Sequence, residues 1–128
     1  MTNTATVNKQ IYKISDTQIQ KASSTVVNNK KQGSWTKEEI KNLLKTNDTM
    51  VVHSLLKLYT YQEAIEKASG ETTLSNNVGF NAWDAQVLTK MAQNVIENKT
   101  ITKAQVNYVR NKILKYSNQI TKIANGVL

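Results

Sequence analysis

The chain has no cysteine, no proline, four glycines and one histidine among its 128 residues. Without Cys there is neither a disulfide framework nor a thiolate metal site, and His53 alone cannot form a histidine-based zinc site. We therefore expect no metal and no cofactor. No apolar run is long enough to span a bilayer, and the first residues, "MTNTATVNKQ", lack the apolar core of a signal peptide. These features predict a cytoplasmic protein without a membrane role.

The formal net charge of +8 is unevenly distributed. Residues 1–33 carry five Lys and one acid, residues 34–97 carry six Lys and eight acids, and residues 98–128 carry five Lys, Arg110 and no acid. Such basic segments are typical of proteins that bind nucleic acid, and equally of a surface that only promotes solubility. We divide the chain into a basic N-terminal arm that contains a helix, 1–33, and a helical core domain, 34–128.

Long periodic segments without Gly or Pro predict a mainly all-α fold, a compact helical bundle of about four or five helices. The stretch "KQIYKI" is either a short N-terminal strand or an arm, and the next helix is expected from Ser15 to Asn29. Helix caps are expected at Thr36, Asp48, Asn81 and Thr102. The final helix is expected to run without a break from Thr102 to Asn125, where Asn125-Gly126 would form a left-handed cap.

The stretch "NNVGFNAWDAQVL" holds the only Phe and one of the two Trp of the chain. Asn81 is expected to cap a helix, and Asp84 would then lie at its third position, beside the positive end of the helix dipole. Helical spacing predicts that Phe80 and Trp83 are core residues. His53 is expected on the solvated side of its helix.

Three segments carry a resemblance to a known family: "LLKTNDTMVVHSLLKLYTY", "NNVGFNAWDAQVLTKMAQ" and "ITKAQVNYVRNKILKY". In this order they resemble the "LLETND…LYxRQ", "GVGFNGxDA" and "LTPKQ…ARKKLLKY" blocks of a small domain common in bacteriophage and prophage genomes. The similarity covers about residues 39–124, and it departs from the family at Tyr61–Glu66 and at Trp83. The family occurs as free-standing proteins and appended to phage helicases. The resemblance implies a helical fold and assigns no catalytic residue.

The sequence predicts a protein that is not an enzyme. General acid–base catalysis needs titratable groups held near a partner, and His53, Glu63, Glu66 and Asp84 have none at a diagnostic spacing. There is also no phosphate-binding glycine loop and no nucleophile elbow.

A binding surface is predicted on the polar side of the last helix. Its Lys and Arg would neutralise phosphates or an acidic protein surface, and its Asn would contact bases or sugars. We expect these charges to be separable from the core. The candidate residues are Lys103, Asn107, Arg110, Asn111, Lys112, Lys115 and Lys122.

Two functions fit this surface and the resemblance. The first is a phage or mobile-element protein that binds a host nuclease or ribonucleoprotein stoichiometrically, most specifically an inhibitor of a CRISPR nuclease acting in the host cytoplasm. The alternative is an accessory protein of phage replication or helicase function that binds DNA or RNA directly. The sequence is compatible with a monomer and with a homodimer.

Overall fold

The computed structural model describes residues 11–23, 35–69 and 80–125. These residues form six α-helices, a two-stranded sheet and one 3-10 turn, which confirms the mainly α-helical fold. In chain order the elements are β1 (Ile11–Lys13), α1 (Asp16–Ser23), α2 (Lys37–Thr46), α3 (Asp48–Ser69), α4 (Ala82–Asn98), β2 (Thr100–Thr102), α5 (Lys103–Ile113), the 3-10 turn (Leu114–Tyr116) and α6 (Ser117–Ala124). No helix in the described part of the chain combines the length and apolarity needed to cross a membrane.

Helix α3 is the centre of the core. It packs against α1, α2, α4 and α5, so more than one side of its first three turns is covered by other helices. The buried side chains of α3 are Val51, Val52, Ser54, Leu55, Leu56, Leu58 and Tyr61.

The N-terminal strand is confirmed, and it ties the start of the described chain to the start of α5. β1 pairs antiparallel with β2, with Tyr12 opposite Ile101. Lys99 has a left-handed conformation (φ 57°) at the end of α4 and turns the chain into β2. Helix α1 then begins at a reciprocal pair of hydrogen bonds between Ser15 and Gln18. The predicted continuation of this helix to Asn29, and the segment 70–79, lie outside the described residues.

Three of the four predicted caps are confirmed. Thr36 and Thr102 form capping boxes with the residues three positions later, and the Asn81 side chain accepts a hydrogen bond from the backbone of Asp84. The predicted cap at Asp48 is wrong. Asn47 takes that position, because its Oδ1 accepts the Met50 N–H at 3.0 Å, which leaves the Asp48 carboxylate for contacts with other elements.

The prediction of one unbroken C-terminal helix is also wrong. The 3-10 turn separates α5 from α6, and Tyr116 leaves the helical conformation at φ −96° and ψ 12°. Asn125 is not left-handed (φ −90°, ψ 0°), and Gly126, the second residue of the predicted cap, lies outside the described residues. Instead its side-chain amide exchanges two hydrogen bonds of 2.9 Å with the backbone of Trp35. The break allows α6 to pack against α2, and it brings the Tyr116 hydroxyl to the start of α4.

The cap at Asn47 gives a stability prediction. Replacing Asn47 by Ala should lower the free energy of unfolding by about 1 kcal/mol, because the first turn of α3 loses its side-chain acceptor. Urea denaturation measures the change. Asn42→Ala, at an exposed position within α2, is the matched control and should change stability by less than about 0.5 kcal/mol. Equal stability of the two variants would contradict the cap.

Candidate partner-binding face

The Asp48 carboxylate joins three elements of the fold. It accepts hydrogen bonds from Lys103 Nζ of α5 at 2.7 Å and from the Tyr12 hydroxyl of β1 at 2.8 Å, and it pairs with the Arg110 guanidinium of α5. Arg110 also donates to the Leu44 carbonyl of α2 at 2.8 Å. These side chains are mostly buried, so the network fixes α5 against α2, α3 and the sheet.

The network keeps Asp48 ionised. Burial on its own would raise the pKa of this carboxyl group, but the hydrogen bonds from Lys103, Tyr12 and Arg110 outweigh burial and lower the pKa from 3.8 to about 2. The same contact raises the pKa of the Tyr12 hydroxyl, which donates to the carboxylate.

Three of the predicted binding residues therefore have structural contacts. Lys103 and Arg110 direct their charges at Asp48, and the Asn107 side chain accepts a hydrogen bond from Arg110 Nη1 at 2.6 Å. The expectation that charge and core are separable along this segment does not hold for these residues.

A second carboxylate, Asp84, is buried at the start of α4 with only 4% of the residue exposed. Its oxygens accept the Tyr116 hydroxyl at 2.7 Å and lie 2.9 Å from Lys115 Nζ and 4.0 Å from Lys112 Nζ. The Tyr116 hydroxyl in turn accepts the backbone N–H of Asn81 at 2.9 Å. Asp84 thus connects the first turn of α4 to α5 and to the 3-10 turn.

Ionisation at this cluster follows from the same contacts. Burial would raise the pKa of Asp84, but hydrogen bonds from Lys115 and Tyr116 lower it overall. Burial and the neighbouring Asp84 charge raise the pKa of Tyr116 above its ordinary range, although the Asn81 N–H opposes the shift. Asp84 is therefore a buried anion balanced by Lys112 and Lys115, and its role extends beyond the helix-dipole contact that the sequence suggested. The expectation that charge and core are separable does not hold for these two lysines either.

The prediction that Trp83 is a core residue is wrong, since 91% of it is exposed. The physical reason is the rotation of α4 about its axis. With Asp84 directed inward to Tyr116, the buried stripe of α4 continues through Leu88, Ala92 and Val95, and Trp83 lies beside this stripe with Val87 one turn later. Phe80, by contrast, is buried and meets Tyr116 edge to face at 6.0 Å.

Exposed aromatic and cationic side chains lie around the Asp84 cluster, which connects the start of α4 to α5 and to the 3-10 turn. Val87 and Tyr108 are 40% and 42% exposed, and Lys112 Nζ lies 5.6 Å from the centre of the Tyr108 ring. The lysine side chains that reach Asp84 remain 39% exposed at Lys112 and 47% exposed at Lys115. We call this surface, formed by Trp83, Val87, Tyr108, Lys112 and Lys115, the aromatic–lysine face.

The other predicted positions differ in their surroundings. Asn111 is exposed on α5, one turn before Lys115, and Lys122 is exposed on α6 beyond the 3-10 turn. His53 is half-buried, contrary to the expected solvated position, because α1 packs against α3 and Lys57 Nζ donates to the Lys21 carbonyl at 3.1 Å. Burial, with the charges of Lys57 and Lys21, lowers the pKa of His53.

Sequence reasoning missed Trp83 and Tyr108 as surface residues. One signal could have found Trp83: Asp84, Leu88, Ala92 and Val95 form a stripe at helical spacing that excludes it. That stripe places a carboxylate among apolar residues. It predicts the buried side of α4 only if a cation that balances Asp84 is known. Lys115 lies 31 positions away, and nothing local in the sequence links the two.

Comparison of the chain with family models, with curated proteins and with solved structures found no match. Among the described residues there is no group of three or more His, Cys, Asp or Glu side chains able to hold a metal ion. The candidate site is therefore defined by its geometry alone.

The Asp48 network predicts a specific acid sensitivity. Asp48→Asn should reduce the free energy of unfolding at pH 6 by at least about 2 kcal/mol, because Lys103 and Arg110 lose their counter-charge. The lowered pKa of Asp48 means that its contribution is complete above pH 3.8 and is lost as the pH falls towards about 2. The stability difference between wild type and variant, from denaturation at several pH values, should therefore shrink across that interval. Asp16→Asn, which removes an exposed pair with Lys99, should have little effect at any of these pH values.

The exposure of Trp83 predicts a contrast with Phe80. Trp83→Ala should change the free energy of unfolding by less than about 0.5 kcal/mol, whereas Phe80→Ala should lower it by about 3–5 kcal/mol, as for a buried aromatic ring. Thermal and urea denaturation followed by circular dichroism measure both changes. A large loss of stability in Trp83→Ala would contradict the outward position of this side chain.

Proposed function

We propose that this chain is a non-enzymatic protein of a phage or other mobile element that binds a nucleic-acid-processing nuclease or ribonucleoprotein of its host stoichiometrically. In its most specific form, the proposal is that the chain inhibits a CRISPR nuclease in the host cytoplasm. The observation that carries the proposal is the aromatic–lysine face, where Trp83 is 91% exposed and the adjacent Asp84 pairs with two partly exposed lysines.

The exposure of Trp83 supports a binding role. A buried tryptophan contributes more apolar area to stability than other side chains, so an exposed one gives up that contribution. Tryptophan is also enriched among the residues that dominate the energy of interfaces. The backbone that carries Trp83 is capped by Asn81 and held by Asp84, so binding at Trp83 needs little further ordering of the backbone.

The state of the carboxylates supports a function without catalysis. Asp48 and Asp84 are held ionised by cations and hydrogen bonds, and a carboxylate with a pKa near 2 is a weak general base. The pKa of His53 is lowered by burial and by the charges of Lys57 and Lys21, an environment that opposes its protonation. The structural contacts of these groups account for their ionisation without a catalytic role.

Direct binding to DNA or RNA, as an accessory protein of phage replication or helicase function, is the second candidate. The specific observation in its favour is the position of Lys112 and Lys115 next to exposed rings. Residues 98–128 hold no acid, so a nucleic-acid backbone would meet little electrostatic repulsion from this part of the chain.

The proposal is tested by titration against purified RNA-guided nucleases loaded with guide RNA. We expect cleavage by at least one nuclease type to fall linearly with added protein and to stop at an equimolar ratio, as for a stoichiometric inhibitor. Trp83→Ala should weaken this inhibition at least tenfold at unchanged melting temperature, since tryptophan anchors often contribute 2 kcal/mol or more, about a factor of 30.

A double variant, Lys37→Gln with Lys45→Gln, is the control, because both lysines are exposed on α2 and it removes charge away from the face. It should inhibit like wild type. Failure to bind or inhibit any nuclease, beside tight and steeply salt-dependent binding to naked DNA or RNA, would instead establish the second candidate. Turnover of a nuclease or its guide by substoichiometric protein would contradict the non-enzymatic role.

A further inference from the structure

We infer that the aromatic–lysine face binds single-stranded nucleic acid, with a base stacked on Trp83 and the adjoining phosphates held by Lys112 and Lys115. The inference rests on the proposed binding function, since it assigns which component of a ribonucleoprotein this face contacts.

The charge of the face selects the class of partner. Residues 80–96 contain one acid, Asp84, and residues 98–128 contain none. The Asp84 carboxylate is almost fully buried and is directed at Tyr116 and Lys115, so it presents little negative charge to solvent. Two lysines whose side chains are 39% and 47% exposed therefore share one buried counter-charge, which leaves a net positive charge suited to phosphate.

The residue types favour nucleic acid over a protein surface. Lysine is depleted from the cores of protein–protein interfaces, whereas its compact charge suits contact with phosphate. Tryptophan and tyrosine beside such charges are the pattern of proteins that bind single strands, where aromatic rings stack on successive bases. Trp83 and Tyr108 supply this pattern on two different helices.

The arrangement favours a single strand over a duplex. In a duplex the base faces are already stacked on each other, so an exposed indole has no free base face to cover. An unpaired strand offers free base faces. The lysines are also oriented before binding, Lys115 by Asp84 at 2.9 Å and Lys112 by the Tyr108 ring at 5.6 Å. Because these side chains are already placed, their ordering upon binding costs less.

The test uses the full chain and a uridine homopolymer of about 12 nucleotides, a length within the usual site size for single strands. In a Trp35→Phe background, Trp83 is the only tryptophan, so its fluorescence reports stacking directly. We expect the single strand to quench this emission and the same sequence in an RNA duplex to quench it far less. Circular dichroism confirms that the background variant is folded. Anisotropy of a labelled strand with Trp35 retained gives an independent affinity.

Substitutions separate stacking from charge. Trp83→Ala should weaken binding of the single strand about tenfold, and Trp83→Phe should recover much of the loss because a ring remains. Lys112→Gln should reduce the slope of log affinity against log salt by about 0.7, the value for one phosphate contact on a single strand. Lys37→Gln, with the same charge change on α2, should leave the stacking signal and the effect of Trp83→Ala unaltered.

Strand binding and nuclease inhibition are measured separately, so failure of the inference can be distinguished from failure of the proposed function. If the single strand leaves Trp83 emission and anisotropy unchanged while Trp83→Ala still impairs inhibition of a nuclease, the face contacts protein and the inference is wrong although the function stands. Equal quenching by duplex and single strand also overturns it. Selective quenching by the single strand in a protein that inhibits no nuclease upholds the inference and rejects the proposed function.

Discussion

A carboxylate removed from water must be matched by donors, and two such carboxylates determine how the C-terminal third of this chain meets the rest. The Asp48 carboxylate accepts hydrogen bonds from Lys103, Arg110 and Tyr12, and these bonds hold α5 and the N-terminal strand against α3. The Asp84 carboxylate accepts a hydrogen bond from Tyr116 and pairs with Lys115, and these contacts determine how α4 is rotated about its axis. Removing either anion would leave cations without a counter-charge in a partly buried position, a change more costly than losing an exposed ion pair. Both contacts join residues more than thirty positions apart, so they act as tertiary constraints on helices that form through local rules.

The division between local and tertiary causes explains how far the sequence could predict the structure. Thr36, Asn81 and Thr102 were found because a capping residue and its partner lie within four positions of each other. The outward position of Trp83 was not found, because periodicity alone allows neighbouring rotations of α4, and the choice between them depends on Tyr116 and Lys115. The break before α6 has the same origin, since Tyr116 departs from helical geometry where its hydroxyl meets Asp84 and the Asn81 backbone. Asp and Asn are about equally good caps, so the sequence does not distinguish Asn47 from Asp48, and only the contact of Asp48 with Lys103 and Arg110 shows why Asn47 takes that position.

The same contacts divide the basic residues of the C-terminal segment into two groups. Lys103 and Arg110 are held by Asp48, so their charges mainly balance an internal anion, whereas Lys112 and Lys115 are half-exposed and share Asp84 beside Trp83 and Tyr108. A net charge of +8 therefore overstates the charge concentrated at any one surface. What distinguishes the aromatic–lysine face is the combination of cations with rings, since lysines occur elsewhere on the chain.

As the position of α5 depends on Asp48, the geometry of the proposed face depends on Asp84. Its burial turns Trp83 towards solvent, its charge orients Lys115, and its hydrogen bond positions Tyr116 against Phe80. A binding surface of this kind is preorganised by the interior, because the anion that fixes the cations is inaccessible to the partner and adds little repulsion. One buried carboxylate that faces two lysines leaves one positive charge uncompensated. Asp84 can therefore stabilise the start of the helix while the face stays positive.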